Sequence, residues 1–115
     1  MPLFGTGRGD AAPRAWVSAV KAVLKFTPER ERVVGYVLGF DHHTFFANGR
    51  VSRVEEIMVS ENCRRRGVGR LLMQNFERWA KDRQSKLIAL ATRRAAPFYR
   101  SMGYDESATY FRKLL

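Results

Sequence analysis

The sequence is poor in acidic residues, in cysteine and in long apolar runs. It has 11 Asp and Glu residues against 21 Lys and Arg residues, which gives a formal net charge of +10. Its single cysteine, Cys63, excludes a disulfide within the chain. No apolar run reaches the roughly 20 residues that a membrane-spanning helix needs, and the first ten residues lack the apolar region of a signal peptide. We therefore expect a soluble, cytoplasmic protein without a membrane partner.

The chain does contain enough apolar surface for one folded domain. Of its 115 residues, 45% are hydrophobic and 12% are aromatic, which suffices for a single core. Residues 1–10 are rich in glycine and hold little that packs, so we predict a flexible leader there and one domain over residues 11–115. The positive charge attracts anions. Charge alone does not decide between a small polyanion, a nucleic acid and an acidic protein.

Hydrophobic spacing predicts a helix near the N-terminus. Asp10 is a suitable cap and Pro13 fits the first turn. The apolar residues at helical spacing that define this helix are Trp16, Val17, Val20, Val23 and Leu24. We expect this helix to serve core packing only.

An antiparallel meander is predicted for residues 33–59. β-Branched and aromatic residues indicate strands at 32–40, at 44–47 and from about 51 to 59. Asn48-Gly49 indicates a tight turn, because both residues tolerate positive φ. Asp41-His42-His43 is interpreted as a polar loop and not as a metal site, since adjacent histidines on a strand do not easily share one ion.

The second half of the chain alternates helices and strands. An amphipathic helix is predicted from Gly67 to about Arg83, followed by a near-continuous apolar strand over 86–92 that suits the middle of a sheet. A short helix over 95–102 should end at Gly103. Residues 109–114 are predicted to form a last strand. The order of elements predicts an α/β (α+β) domain with one mixed sheet, an antiparallel meander followed by helix-strand-helix-strand.

A loop rich in arginine and glycine joins the meander to the amphipathic helix. Its residues are Arg64, Arg65, Arg66, Gly67, Val68, Gly69 and Arg70. The first turn of a helix presents unpaired N–H groups and the positive end of the helix dipole, and glycine lets an anion approach the backbone. A solvated basic helix start is the alternative. Consecutive arginines at a positive dipole end are unfavourable without an anion, so we predict a binding site for a dianion.

These segments together resemble the GNAT superfamily of acetyl-CoA-dependent N-acetyltransferases. Arg64, Gly67 and Gly69 match the family loop of Arg or Gln, two residues, Gly, one residue, then Gly or Ala. The segment 55–59 resembles the fourth strand of the family, and 98–104 resembles its Phe-Tyr…Gly-Phe helix end. The resemblance covers roughly residues 32–115. It implies a GNAT-like fold with a shortened N-terminal part, because the segment before the meander has room for about one helix.

The resemblance also implies a reaction and a cofactor site. The reaction is acetyl transfer from acetyl-CoA to a primary amine by direct attack in a ternary complex, with no metal. The backbone of Ile57, Met58 and Val59 would pair with the pantetheine arm, and Phe98 would pack beside it. The amides from Arg65 to Arg70 would hold the pyrophosphate, and the strands at about 53–59 and 86–92 would splay apart to admit the cofactor. Arg93 and Arg94 either contact its phosphates or belong to a solvated loop.

Three residues are candidates for catalysis. The acceptor amine must lose a proton to attack the thioester, and the departing thiolate takes one. By the resemblance Tyr99 is the general acid, the alternative being an ordinary core tyrosine. Glu55 and Glu56 are the candidate bases, and alternation along a strand is expected to place only one of them at the acceptor. Glu55 is preferred because it aligns with the acid of polyamine acetyltransferases; pairing with nearby cations is the alternative for both glutamates.

The acceptor is expected to be an amine-bearing small molecule or protein. With few elements before the meander, the acceptor site is open, completed by the second subunit of a homodimer, or lost. A shortened module that binds acetyl-CoA without catalysis is therefore a second hypothesis. A basic nucleic-acid-binding protein is a third and weaker one, because no recognised nucleic-acid-binding signature is present.

Overall fold

The computed structural model describes residues 15–27, 30–45 and 47–115, and their side chains from residue 32 onward. The leader predicted for residues 1–10 and the helix cap predicted at Asp10 and Pro13 lie outside these ranges. Within the described part of the chain, no helix is both long and apolar enough to cross a membrane.

One four-stranded sheet organises the fold. Its strands are β1 (Ala15–Thr27), β2 (Arg30–Thr44), β3 (Gly49–Val59) and β4 (Leu87–Ala89), and they are adjacent in that order. β1, β2 and β3 are antiparallel neighbours, whereas β3 and β4 are parallel. The mixed sheet with an antiparallel meander is therefore confirmed. The meander has three strands, as predicted, but β1 takes the place of the short strand predicted at 44–47.

The predicted N-terminal helix is wrong, because residues 15–27 form β1. This strand pairs with β2 from Ala15, opposite His42, to Thr27, opposite Arg30. The apolar residues at helical spacing include three valines, whose branched side chains suit a pleated strand as well as a helix face. Pairing along nearly the whole of β2 satisfies the backbone of this segment, and such tertiary context overrides a weak local preference for helix.

The hairpin between β2 and β3 differs from the prediction in two ways. The separate strand predicted at 44–47 is wrong, because β2 runs without a break to Thr44, which pairs with Gly49, and the described residues 45 and 47 belong to the turn. Asn48 has a φ of 52° and donates its N–H to the Phe45 carbonyl at 3.0 Å, which turns the chain back towards β3. Residues 41–43 consequently lie on β2, and the polar loop predicted there is wrong.

A buried ion cluster explains why 41–43 are polar within a strand. Asp41 is fully buried beneath the end of the helix that follows β3. Its carboxylate accepts a hydrogen bond from Arg50 Nη1 at 3.2 Å and two more from Nε and Nη2 of Arg83. A buried carboxylate requires such partners. The cluster therefore ties the hairpin end of the sheet to the end of the helix.

Two helices pack on the sheet. α1 (Val68–Asp82) and α2 (Ala96–Ser101) lie where helices were predicted, with their ends shifted by one residue. A 3-10 turn over Glu61–Cys63 leads from β3 towards α1 and buries Cys63. The φ of Gly103 is 92°, as expected for the glycine after the end of α2.

The core lies between the sheet and α1. Phe76, Leu72 and Met73 of α1 are fully buried against Val37 and Val54. The close approach of α1 depends on glycines of β2. A Cβ built on Gly39 would overlap the ring of Phe76 and lie 2.5 Å from the Arg53 carbonyl oxygen.

The last predicted strand is not formed. Residues 104–115 contain neither helix nor strand. The strand predicted over 86–92 for the middle of the sheet is also wrong in length and place, because β4 has only three residues and lies at the edge. The last segment therefore has no long neighbour with which to pair. Four apolar residues of this segment are exposed: Tyr110, Phe111, Leu114 and Leu115.

Candidate active site

A β-bulge in the middle of β3 changes the faces to which its residues point. The register between β2 and β3 shifts between Leu38 and Gly39, which pair with Glu56 and Val54 and leave Glu55 as the extra residue. Val54 and Ile57 consequently both pack against the core, although strict alternation would separate them. Glu55 and Glu56 are both exposed and line the same cavity. The prediction that only one glutamate could face the site is therefore wrong.

The cavity lies where β3 and β4 separate. Their pairing is limited to Val51, Ser52 and Arg53, opposite Leu87, Ile88 and Ala89. Beyond Arg53, no described strand pairs with β3 on this side. The resulting wedge has a volume of about 540 Å³. It is lined from β3 by residues 54–58 and from the other side by residues 90–94 and Tyr99. The expected splaying of the two strands is thus present.

Ile57, Met58 and Val59 form the end of β3 beside this wedge. Met58 is half-exposed and lines the cavity with Ile57. The carbonyl of Val59 accepts a hydrogen bond from Arg64 Nε at 3.2 Å. This contact anchors the first arginine of the loop to the strand that precedes it.

The loop before α1 has two residues in the left-handed region. Arg65 has a φ of 65° and Gly67, the N-cap of α1, has a φ of 82°. A Cβ built on Gly67 would meet no described atom within 4 Å, so this glycine borders open space. The first turn of α1 holds no acidic residue. Four arginines, Arg64, Arg65, Arg66 and Arg70, are exposed around this helix start.

α2 packs its aromatic side against the same helix start. A Cβ built on Gly69 would lie 3.5 Å from Cζ of Phe98, an ordinary van der Waals contact, so the ring lies directly beside this glycine. Arg70 donates to Ser101 Oγ at 3.1 Å, and Ser101 donates to the Phe98 carbonyl at 2.6 Å. These contacts hold Phe98 beside the loop.

Tyr99 is a buried residue of the wedge lining. It is 7% exposed, contacts Phe98 edge to face with 4.9 Å between ring centroids, and lines the cavity. Burial raises the pKa of its hydroxyl. Tyr99 therefore stays protonated near neutral pH and is available as a proton donor.

The family of the chain is decided by comparison with known proteins. The model of the Acetyltransferase (GNAT) family matches residues 6–104, which is most of the chain. The chain belongs to the acetyltransferase (GNAT) family. No curated protein sequence matches it significantly.

Solved structures similar to this GNAT chain have the same fold. A protein of Pyrococcus furiosus assigned as an acetyl transferase is 26% identical, with a TM-score of 0.68, over 76% of this chain and 61% of its own. An acetyltransferase of Trypanosoma brucei is 22% identical, with a TM-score of 0.72, over 84% and 69%. The ribosomal-protein-alanine N-acetyltransferase of Brucella melitensis is 18% identical, with a TM-score of 0.65, over 85% and 71%. The chain thus spans about three fifths of the length of the Pyrococcus protein.

Most residues predicted for the GNAT site lie around one wedge and one helix start. The loop and Phe98 border the N-terminus of α1, while both glutamates and Tyr99 line the cavity. Arg93 and Arg94 are exposed on the β4 side of that cavity. Thr92 accepts a hydrogen bond from the Ala95 N–H at 3.1 Å, which fixes the chain as it enters α2.

One cavity residue was missed in the sequence. Tyr36 of β2 lines the wedge, and its hydroxyl donates a hydrogen bond to Glu56 Oε1 at 2.9 Å. The contact spans 20 residues and depends on the register that places Tyr36 opposite Met58. The residues around Tyr36 in the sequence predict only a strand, so they could not indicate a contact with a residue 20 positions away.

Proposed function

We propose that the chain is an acetyl-CoA-dependent N-acetyltransferase that moves an acetyl group to a primary amine. The single observation that supports it most is the position of the wedge. It opens between β3 and the chain beyond β4, beside a basic helix start with an open glycine. A cofactor such as acetyl-CoA has a narrow, peptide-like arm that would fit the wedge and a diphosphate that would bind the basic helix start.

The loop fits the diphosphate of acetyl-CoA. The free N–H groups of the first turn of α1 and the helix dipole favour an anion there. Arg65, Arg66 and Arg70 add positive charge that no acid of the first turn neutralises. Gly67 leaves the space over the backbone open. In this proposal the amides from 65 to 70 hold the diphosphate, and Arg94 lies near enough to the wedge to meet a further phosphate.

The wedge fits the pantetheine arm. Its volume of about 540 Å³ is ordinary for a small-molecule site. Beyond Arg53 no strand in the described part of the chain pairs with β3 on the wedge side, so the amides and carbonyls that alternate residues direct to this side are available to the amides of pantetheine. Ile57 and Val59 would make this contact, because alternate residues of a strand direct their N–H and C=O groups to the same side. The Met58 carbonyl faces Gly35 of β2, so Met58 would contact the arm with its side chain only. Phe98 would pack beside the arm. If the Val59 carbonyl keeps its hydrogen bond to Arg64, Val59 contributes its N–H alone to this contact.

The side chains of the wedge can carry out acetyl transfer. A carboxylate, Glu55 or Glu56, takes one proton from the acceptor ammonium group. The freed nitrogen bonds to the thioester carbonyl carbon, and the C–S bond then breaks. The Tyr99 hydroxyl gives its proton to the departing thiolate, and the second proton of the nitrogen returns to the Tyr99 oxygen. One proton leaves through the carboxylate to solvent, so the reaction is balanced.

The acceptor is proposed only as a primary amine. Glu55 and Glu56 give the β3 side of the wedge negative charge, which suits a protonated amine. The Brucella structure carries the name of an enzyme that acetylates a protein alanine, but its 18% identity supports a common fold only.

Thiol release over a panel of primary amines tests the proposed function. With acetyl-CoA at saturating concentration, we expect at least one acceptor to release free CoA in step with amide formation. A hydroxyl-bearing analogue of the same acceptor serves as the matched control and should give no ester. Thiol release that does not depend on any amine would contradict acetyl transfer.

A further inference from the structure

Tyr36 and Glu56 form the only side-chain hydrogen bond between wedge residues in the described part of the chain. The two residues belong to neighbouring strands. Tyr36 pairs with Met58 and Glu56 pairs with Leu38, so both side chains project from the same face, diagonally across the ladder. The hydroxyl binds Oε1 at 2.9 Å, and Glu56 lines the cavity without a hydrogen bond to its Oε2 from any other described residue.

Glu55 has a different partner. Its carboxylate Oε1 lies 3.8 Å from Nε of Arg53, at the outer limit of an ion pair, and its side chain is 54% exposed. A guanidinium in that position competes with an acceptor ammonium for the carboxylate. An exposed ion pair of this length also restricts the side chain little, because its net energy is small.

We infer that Tyr36 is a positioning residue, which fixes the carboxylate of Glu56 so that Glu56, and not Glu55, is the base of the acetyl transfer. This inference rests on the proposed function. An exposed glutamate otherwise samples several rotamers, and a base must lie within hydrogen-bonding distance of the proton that it takes. Tyr36 holds one oxygen of Glu56, and the other oxygen takes the proton from the acceptor ammonium.

The protonation state of Tyr36 agrees with this role. The hydrogen bond to Glu56, and then the charge of that carboxylate, raise the pKa of the Tyr36 hydroxyl. The hydroxyl therefore remains a donor throughout the pH range in which an amine acetyltransferase would act. It differs from Tyr99, whose pKa is raised by burial and which has no carboxylate partner among the described residues.

A double-mutant cycle tests the inference. Glu56→Gln should lower kcat/KM for the acceptor by about 10²-fold, at the lower end of the usual effect of a general base. Tyr36→Phe should lower it about tenfold, which corresponds to one charge-assisted hydrogen bond, without changing KM for acetyl-CoA or the midpoint of urea unfolding. The double variant should be no slower than Glu56→Gln alone, since Tyr36 acts only through Glu56.

Two further variants sharpen the cycle. Tyr110→Phe removes a hydroxyl from a tyrosine that is 65% exposed outside the wedge, and should leave kcat/KM unchanged. The loss of kcat/KM in Glu55→Gln should be at least tenfold smaller than the loss in Glu56→Gln. A larger loss in Glu55→Gln, an unchanged Tyr36→Phe enzyme, or additive losses in the double variant would each overturn the inference while the proposed function stands. No turnover by the unaltered protein would overturn both.

The coupling also has a readout that does not need turnover. Tyrosine ionisation is followed by absorbance as the pH is raised, and Tyr36 is identified by difference from Tyr36→Phe. Glu56→Gln should let Tyr36 ionise at lower pH than in the unaltered protein, nearer its ordinary pKa of 10.0. An unchanged Tyr36 titration in Glu56→Gln would show that the two side chains are not in contact, and would overturn the positioning role.

Discussion

The hydroxyl of Tyr104 donates a 2.7 Å hydrogen bond to Oε2 of Glu77, and this bond joins the chain after α2 to the middle of α1. The Tyr104 ring also lies 5.7 Å from that of Tyr99, edge to face. Tyr104 therefore fixes the wall that carries the proposed general acid. The same contact contributes to the stability of the fold.

Tyr104→Phe should destabilise the protein by about 1–2 kcal/mol, because Glu77 loses a hydrogen bond at a half-buried position. Burial, and next the bond to Glu77, raise the pKa of Tyr104 above its ordinary value of 10.0. A tyrosine whose pKa is raised on folding contributes its full stability below pH 10 and loses it as the pH rises further. Urea unfolding measured at pH 7 and above pH 10 should show that the free energy of unfolding falls less with rising pH in Tyr104→Phe than in the unaltered protein. An equal loss in both proteins would contradict this account.

Gly39→Ala should destabilise the protein by about 2–3 kcal/mol, because overpacking in a close-packed core forces neighbouring atoms to move. The new methyl group would overlap the ring of Phe76 and the Arg53 carbonyl. Gly49→Ala is the matched control on the same sheet, since its Cβ would meet only the flexible side chain of Lys86, 2.9 Å away at the nearest. Urea midpoints of the two variants provide the comparison. Equal midpoints would show that α1 does not approach β2 as closely as described.

Tyr99→Phe should lower kcat by about 10²-fold, in the range of general acid catalysis, with little change in the affinity for acetyl-CoA. Phenylalanine keeps the edge-to-face contact with Phe98, so the fold should be retained. Steady-state kinetics with a good acceptor give kcat, and calorimetry gives the affinity. A variant that turns over at the rate of the unaltered enzyme would leave Tyr99 as a packing residue only.

Local signals in the sequence predicted both helices and the loop before α1, but not the strands of the second half, where β4 is a three-residue edge strand and residues 109–114 form no strand. The amphipathic stripe of α1, the glycine after α2 and the Arg–Gly loop each depend on neighbours within a few residues. Their element types were confirmed, and only their ends moved. The roles of the loop residues, of Phe98 and of Tyr99 stay predictions, although the structure brings these residues together.

Long-range pairing decided the parts that the sequence did not predict. Valines at positions 17, 20 and 23 suit a helix face and a strand equally, and only pairing with β2 selects the strand. The bulge at Glu55 arises from the register between β2 and β3, so strict alternation gave the wrong faces for the two glutamates. The contact between Tyr36 and Glu56 follows from that same register, and no pattern in either strand indicates it.

The central claim is that the loop before α1 binds the diphosphate of acetyl-CoA, and calorimetric titration with acetyl-CoA tests it most directly. Gly67→Trp and Gly67→Asn both place a side chain at a φ of 82°, but only the indole fills the open space above the loop. We predict micromolar binding of acetyl-CoA to the unaltered protein, weaker but measurable binding to Gly67→Asn, and no measurable binding to Gly67→Trp. The two variants should have equal unfolding midpoints, which shows that the difference in binding is not a difference in folding. Equal affinity of Gly67→Trp and the unaltered protein would contradict the account.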